Sequence, residues 1–183
     1  MRKTLSFLAL SLIAIGGKAQ TADVEKSISG VQVGLFGLDL YNETKIANKT
    51  TLRAELGLLA GIWGGDMYAK TGFAFSPSLV VLPKYYYNID KRAEKGKNTK
   101  NNAGNYFGLQ VNYIPNWFVI SNEKNLNLNH QMHFIPTYGI RRNFGGNFNY
   151  EFRAGIGYSF TFGSPNNTSG TSMDLSFKVG YDF

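Results

Sequence analysis

The strongest constraint on this chain is a period of two. Towards its end, Met173, Leu175, Phe177, Val179, Tyr181 and Phe183 alternate with Ser172, Asp174, Ser176, Lys178, Gly180 and Asp182. Successive side chains of a strand point to opposite faces, so this segment has one large apolar face and one small polar face. The segment before it repeats the pattern. Tyr150, Phe152, Ala154, Ile156, Tyr158, Phe160 and Phe162 alternate with Asn149, Glu151, Arg153, Gly155, Gly157, Ser159 and Thr161.

Earlier stretches follow the same rule less strictly. Met132, Phe134, Pro136, Tyr138 and Ile140 oppose His133, Thr137, Gly139 and Arg141, with Ile135 an exception. Phe107, Leu109, Val111 and Tyr113 oppose Gly108, Gln110 and Asn112. Phe73, Phe75, Leu79, Val81, Tyr85 and Tyr87 oppose Ala74, Ser76, Ser78, Lys84 and Asn88. Leu52, Ala54, Leu56, Leu58 and Ile62 oppose Arg53, Glu55, Gly57 and Gly61. Near the start, Val31, Val33 and Leu35 share a face, but Leu38 and Leu40 continue one residue out of phase. A slip at Phe36-Gly37 requires a bulge or a tight turn.

The alternating stretches are roughly 28–46, 50–63, 72–88, 105–119, 131–143, 148–163 and 171–183. A closed antiparallel sheet in an outer membrane has an even number of strands. The simplest eighth strand comes from dividing 28–46 at the phase slip; a poorly patterned strand in 20–27 is the other source. In a soluble sandwich, the apolar faces would pack together and the polar faces would meet water. In a membrane barrel, the apolar face meets lipid and the small polar face turns inward. The lengths of the stretches, the aromatics near their ends and the glycines on the polar face favour the barrel. The expected fold is therefore all-β: a closed antiparallel up-and-down transmembrane β-barrel, with eight strands.

The N-terminus reads as an address. Arg2 and Lys3 precede an apolar run from Leu5 to Ile15, and Gly17 and Ala19 are small residues before a cleavage site. That layout is a secretory signal peptide, too short in its apolar core to span a membrane as a helix. Cleavage is expected after Ala19, giving a leader of 1–19 and a domain of 20–183. Losing Arg2, Lys3 and Lys18 from 19 cations against 12 acids lowers the formal charge from +7 to +4. The basic balance is then no argument for nucleic acid, which an exported protein would not meet. The absence of cysteine excludes disulfides, thiolate metal sites and a cysteine nucleophile.

Candidate site residues follow from the two faces. The inward charges are Arg53, Glu55, Lys84, Arg141, Glu151, Arg153, Asp174 and Lys178, joined by Asp39 if the slip is placed correctly. An eight-stranded barrel is just wide enough for side chains to fill, so these charges must pair as a structural lumen network. The interface aromatics are Tyr85, Tyr87, Tyr150, Tyr181 and Phe183 in one belt, and Trp63, Trp117, Phe160 and Phe162 in the other. His130 and His133 fall on opposite faces and do not chelate one metal. Ser121, Glu123 and His130 share one predicted loop and Ser164 another, but nothing in their spacing builds a catalytic triad. No cofactor, metal or catalytic residue is assigned. The basic run Lys91 to Lys100 reads as a solvated connector with a short helix near Asp90–Lys95, or as a contact for anionic headgroups.

On these residues, the chain resembles small outer-membrane β-barrel proteins of the OmpA/OmpX-like size class, and especially the short Bacteroidota-type barrels. The resemblance is carried by the leader ending Gly17-Lys18-Ala19-Gln20, and by the terminal strand Val179-Gly180-Tyr181-Asp182-Phe183. Pro83-Lys84-Tyr85-Tyr86-Tyr87-Asn88 and Tyr138-Gly139-Ile140-Arg141-Arg142 add to it. It implies residence in the outer membrane among its lipids, and insertion by the outer-membrane machinery through a strand ending in Phe183. The functional expectation is a structural or surface-interaction role with a filled polar lumen. The alternatives are a narrow solute pore, separable by single-channel conductance, and a lipid-modifying hydrolase or acyltransferase.

Overall fold

The computed structural model describes residues 22–64, 71–123, 126, 128–163 and 167–183. The leader read at 1–19 lies outside the described residues, as does Ser164. The elements are β1 (Ser27–Gly34), β2 (Gly37–Ala47), β3 (Thr50–Trp63), β4 (Gly72–Tyr85), α1 (Ile89–Glu94), β5 (Asn105–Ile114), β6 (Ile120–Ser121), β7 (His130–Phe144), β8 (Phe148–Phe162) and β9 (Thr168–Asp182).

These strands form one antiparallel sheet that closes on itself. Each long strand pairs with its neighbours, β3 pairs with β4, and β1 pairs with both β2 and β9. The ring order is β1-β2-β3-β4-β5-β7-β8-β9, and β6 is a two-residue addition on β4. A ring has no free edge, so its backbone polar groups are satisfied within the sheet.

The phase slip in 28–46 is a tight turn. β1 and β2 meet as a hairpin with Gly34 opposite Gly37, leaving Leu35-Phe36 as the connection. The stretch read as 171–183 starts earlier, at Thr168, and two strands end sooner than expected. The stretch read as 72–88 stops at Tyr85, and the stretch read as 105–119 stops at Ile114. Pro77 on β4 and Pro115 after β5 have no N–H, and the β4–β5 ladder resumes only at Ala74 and Phe75 opposite β6.

The two ends of the ring are unlike. One carries the turn at 35–36 and the connections β3–β4, 115–129 and 163–167 (the loop end). The other carries 48–49, 86–104, 145–147, residues 22–26, and Phe183 (the terminal end). The 86–104 connection is a cap on that end. Ile89 of α1 is fully buried with Tyr86, Tyr106, Val80, Leu82 and Val24. Asn101 and Asn102 adopt positive φ, of 50° and 59°, a conformation asparagine tolerates better than most residues. That turn aims their side chains into the ring: Asn102 Nδ2 donates to Glu43 at 2.8 Å, and Asn101 Nδ2 to Asp182 at 2.9 Å.

The faces divide by chemistry. Outward residues such as Leu40, Leu56, Phe107, Ile156, Leu175 and Phe177 are exposed. Inward residues Gln32, Arg53, Lys84 and Arg141 have no exposed surface. Val80, Leu82 and Ile135 are apolar side chains on the inward face. The first two belong to the same buried cluster as Ile89 and Tyr86 of the cap.

Candidate functional site

The ring encloses a network of buried charges. Glu151 of β8 is its centre. Its carboxylate accepts from Arg53 Nη1 at 3.0 Å, Lys84 Nζ at 3.1 Å and Arg141 Nη1 at 3.1 Å. The Tyr106 hydroxyl also donates to it. Gln32 Nε2 adds a longer bond at 3.4 Å, and five donors on one carboxylate offset the cost of burying it, which an unpaired charge could not bear.

The network continues in both directions. Towards the terminal end, Glu43 accepts from Lys84 at 2.9 Å, Tyr86 at 2.8 Å and Thr51 at 3.0 Å. Burial, then the carboxylates of Glu43 and Glu151, push the Tyr86 phenol well above its ordinary range, so it remains a donor there. Asp182 accepts from Arg141 Nη2 at 2.6 Å and from the Tyr41 hydroxyl. Arg53 lies over the Tyr41 ring, 3.7 Å from its centroid. Towards the loop end, Glu55 pairs with Arg53 Nε at 2.6 Å and accepts from Arg153 Nη2 at 3.2 Å, while Arg153 Nη1 donates to Gln110 Oε1 at 3.2 Å. Asp39 pairs with Lys178.

The inward charges named from the sequence are thus placed as follows. Arg53, Glu55, Lys84, Arg141, Glu151, Arg153, Lys178 and Asp39 join one chain of ion pairs. Asp174 does not join it: among the described residues it makes no ion pair, and its Oδ2 is buried without a hydrogen-bond partner. Sequence reasoning missed Glu43, Asp182, Gln32, Asn149, Tyr41 and Tyr106 as members. All six lie on the inward alternation phase of their strands, which was the available signal.

Above the network, the lumen widens. The inward positions of β8 run Asn149, Glu151, Arg153, then Gly155 and Gly157. The long side chains stop at Arg153, and a cavity of about 420 Å³ follows. His133, Ser172, Asp174 and Ser176 line it and are only half-buried, whereas Asn149 and Glu151 at the other end are buried.

Close approach explains two inward glycines. A Cβ on Gly139 would stand 2.1 Å from the Tyr106 ring, and one on Gly30 would stand 2.6 Å from the Tyr41 hydroxyl. Both tyrosines reach into the network through space those glycines leave.

The aromatics separate into groups. At the terminal end, Tyr85, Tyr87, Tyr181 and Phe183 are exposed and Tyr150 half-buried, with Tyr87 against Phe107 and Tyr181 against Phe148. At the loop end, Phe160 is exposed on β8, and Trp117 is exposed in the irregular segment after β5. Phe162 stacks on His130, which stacks on Tyr113. Trp63 differs from its interface reading. Its even spacing from Arg53 and Glu55 puts it on the inward phase of β3, where a Cβ on Gly72 would touch its indole.

The remaining candidates are dispersed. His130 Nδ1 bonds the Tyr113 hydroxyl at 2.7 Å on the outer face, while His133 Nδ1 bonds Ser172 at 2.8 Å inside. Ser121 Oγ donates to the Phe73 carbonyl and accepts from Glu123 N–H, and makes no hydrogen bond to His130 among the described residues. The basic connector holds Lys49–Asp90 as an ion pair, and Arg92 donates to the Asn98 carbonyl.

No protein-family model, curated protein sequence or solved structure matches the chain. The closed ring, its buried charge network and its half-open cavity are therefore the grounds for a functional reading.

Proposed function

We propose that this chain is an integral outer-membrane β-barrel protein with a side-chain-filled polar lumen and a structural or surface-interaction role. The observation that carries the reading is the inverted polarity of the ring. Arg53, Lys84, Arg141 and Glu151 are buried inside it, while Leu40, Leu56, Ile156, Leu175 and Phe177 are exposed outside. A water-soluble protein reverses that order, because exposed apolar area costs about 25 cal/mol per Å². A lipid-facing surface has no such cost.

Strand lengths support the same reading. A tilted strand crossing needs about 9–11 residues. β3, β4, β7, β8 and β9 have 14 or 15, and β2 and β5 have 11 and 10. β1, with 8, is the short member. Exposed aromatics at the terminal end suit an interface, and the terminal end would face the periplasm with Phe183. The loop end, with 64–71, 115–129 and 163–167, would be the contact surface outside the cell. The paired side chains that cross the interior between Glu55 and Asp182 favour a filled barrel over a pore.

The test is gel mobility of the membrane-extracted protein, unboiled and boiled in SDS, together with its cell fraction. A closed barrel in the outer-membrane fraction should migrate faster cold and shift on boiling, because its backbone bonds lie within the sheet. A soluble periplasmic protein with no shift would overturn the proposal.

A further inference from the structure

Among the described residues, the lumen has an excess of one carboxylate. Its five inward cations, Arg53, Lys84, Arg141, Arg153 and Lys178, all sit in ion pairs. Of the inward carboxylates, five are their partners, and Asp174 is the sixth. The imbalance therefore falls on one residue, and that residue faces the 420 Å³ cavity.

Among the described residues, four buried polar atoms of the cavity wall lack a hydrogen-bond partner of good geometry: Glu55 Oε1, which still has Arg53 and Arg153 within ion-pair distance, and Asp174 Oδ2, Ser176 Oγ and His133 Nε2, which have no such compensation. Buried polar atoms are nearly always paired, so the last three, on one cavity wall, need a reason. They come from β7 and β9, on either side of β8. Between them β8 contributes Gly155, opposite Asp174, and Gly157, opposite Ser172. A Cβ at either glycine would meet β7, at Ile135 Cγ2 (2.7 Å) and Ile135 Cα (2.8 Å), so these glycines let β8 pack closely against β7 beside the cavity.

We propose that this cavity binds a small organic cation carrying N–H donors, an ammonium or guanidinium group, with Asp174 as its counter-ion. An N–H donor suits Asp174 Oδ2 and Ser176 Oγ, and the positive charge restores the balance that the paired network leaves short. An inorganic divalent ion suits the wall less well. Asp174 and His133 are two ligand-type groups where a protein metal site uses three or four, and no cluster of three is gathered among the described residues. An anion would meet the carboxylate of Asp174, and the two cations that line the same cavity, Arg153 and Lys178, are already held in ion pairs by Glu55 and Asp39. The volume is at the small end of ligand cavities, which fixes the ligand as a small solute. The site belongs to the ring and does not rest on the membrane reading.

The experiment uses the purified chain in detergent micelles, with backbone amide NMR shifts followed on titration. The probes are n-butylammonium and putrescine; butyrate is the anionic control, and tetramethylammonium is the cation without N–H donors. The expected result is a saturable shift at His133 and residues 172–178 with the two amines. Asp174→Asn should weaken it at least tenfold, Ser176→Ala should weaken it less, and Ile156→Ala on the outer face should leave it unchanged. Cold and boiled gel mobility verifies that each variant is folded, and Ser176→Ala carries the test if Asp174→Asn is not. Three results would overturn the proposal: no saturable shift with either amine, equal shifts with butyrate, or undiminished binding by the folded variants. Equal binding of tetramethylammonium would overturn the requirement for N–H donors.

Discussion

Arg53 on β3 and Glu151 on β8 stand four strands apart in either direction around the ring, and they meet at 3.0 Å. The pair spans the lumen. Arg153 returns from β8 to Glu55 on β3 at 3.2 Å, so two rungs cross between the same opposite walls. Side chains therefore reach from wall to wall at two levels of the ring.

Glu151 is the member whose loss should cost most. Glu151→Ala leaves Arg53, Lys84 and Arg141 buried around an absent carboxylate. Removing one partner of a buried pair costs about 3–5 kcal/mol. Urea titration of refolding into lipid vesicles should show a loss of that size, while Lys178→Met, in a more exposed pair, should cost clearly less. Equal effects would mean that the network is not centred on Glu151.

Gly139→Ala tests the packing of the same network from the wall. The added methyl meets the ring of Tyr106, which is fully buried and held by Glu151. Overpacking of this kind costs about 1–3 kcal/mol. Tyr106→Phe combined with Gly139→Ala should not recover the loss, because the ring itself is the obstacle; Tyr106→Leu should recover part of it. The readout is the same refolding titration.

Leu175→Arg separates the two solvents the outer face could meet. Leu175 is at the middle of β9 and exposed. In a bilayer, an arginine at the midplane costs about 2–4 kcal/mol. In water, the change would be nearly neutral or would improve solubility. A refolding titration in vesicles that shows no loss would count against a lipid-facing surface.

Ile89→Ala should loosen the cap without opening the ring. Ile89 is buried among Tyr86, Tyr106, Leu82 and Val24, and the substitution removes about 2–5 kcal/mol of local packing. Hydrogen exchange should quicken through 86–104, with the amides of β7, β8 and β9 remaining protected. Uniform loss of protection would show that the cap and ring fold as one unit.

Much of the ring was legible in the sequence, and the reason is geometric. A strand has a strict period of two, so Asn149 to Thr161 and Ser172 to Asp182 declare their faces residue by residue. The phase slip at Phe36-Gly37 was legible for the same reason, since a change of face must be a turn or a bulge. Sequence reading went astray where local pattern stops carrying the information. Trp63 was set in an aromatic belt by its residue type, while its phase points inward. The ends of β4 and β5 were overrun, because alternation in 86–88 and 115–119 says nothing of which strand is there to pair with them.

By itself, the sequence determined the strand pattern, the polar and apolar faces, and most of the inward charges, because each is a property of neighbours along the chain. Only the tertiary structure decided which charges meet. Arg53 and Glu151 are paired because closure places β3 opposite β8, a relation with no trace in local spacing. Closure likewise turned 86–104 from a charged connector into a cap, and put inward apolar residues Val80 and Leu82 beneath Ile89. It also left Asp174 without an ion pair among the described residues, on the wall of a cavity. Side-chain direction is a local property set by the backbone, whereas the partner a side chain finds depends on which distant strand the ring brings opposite it.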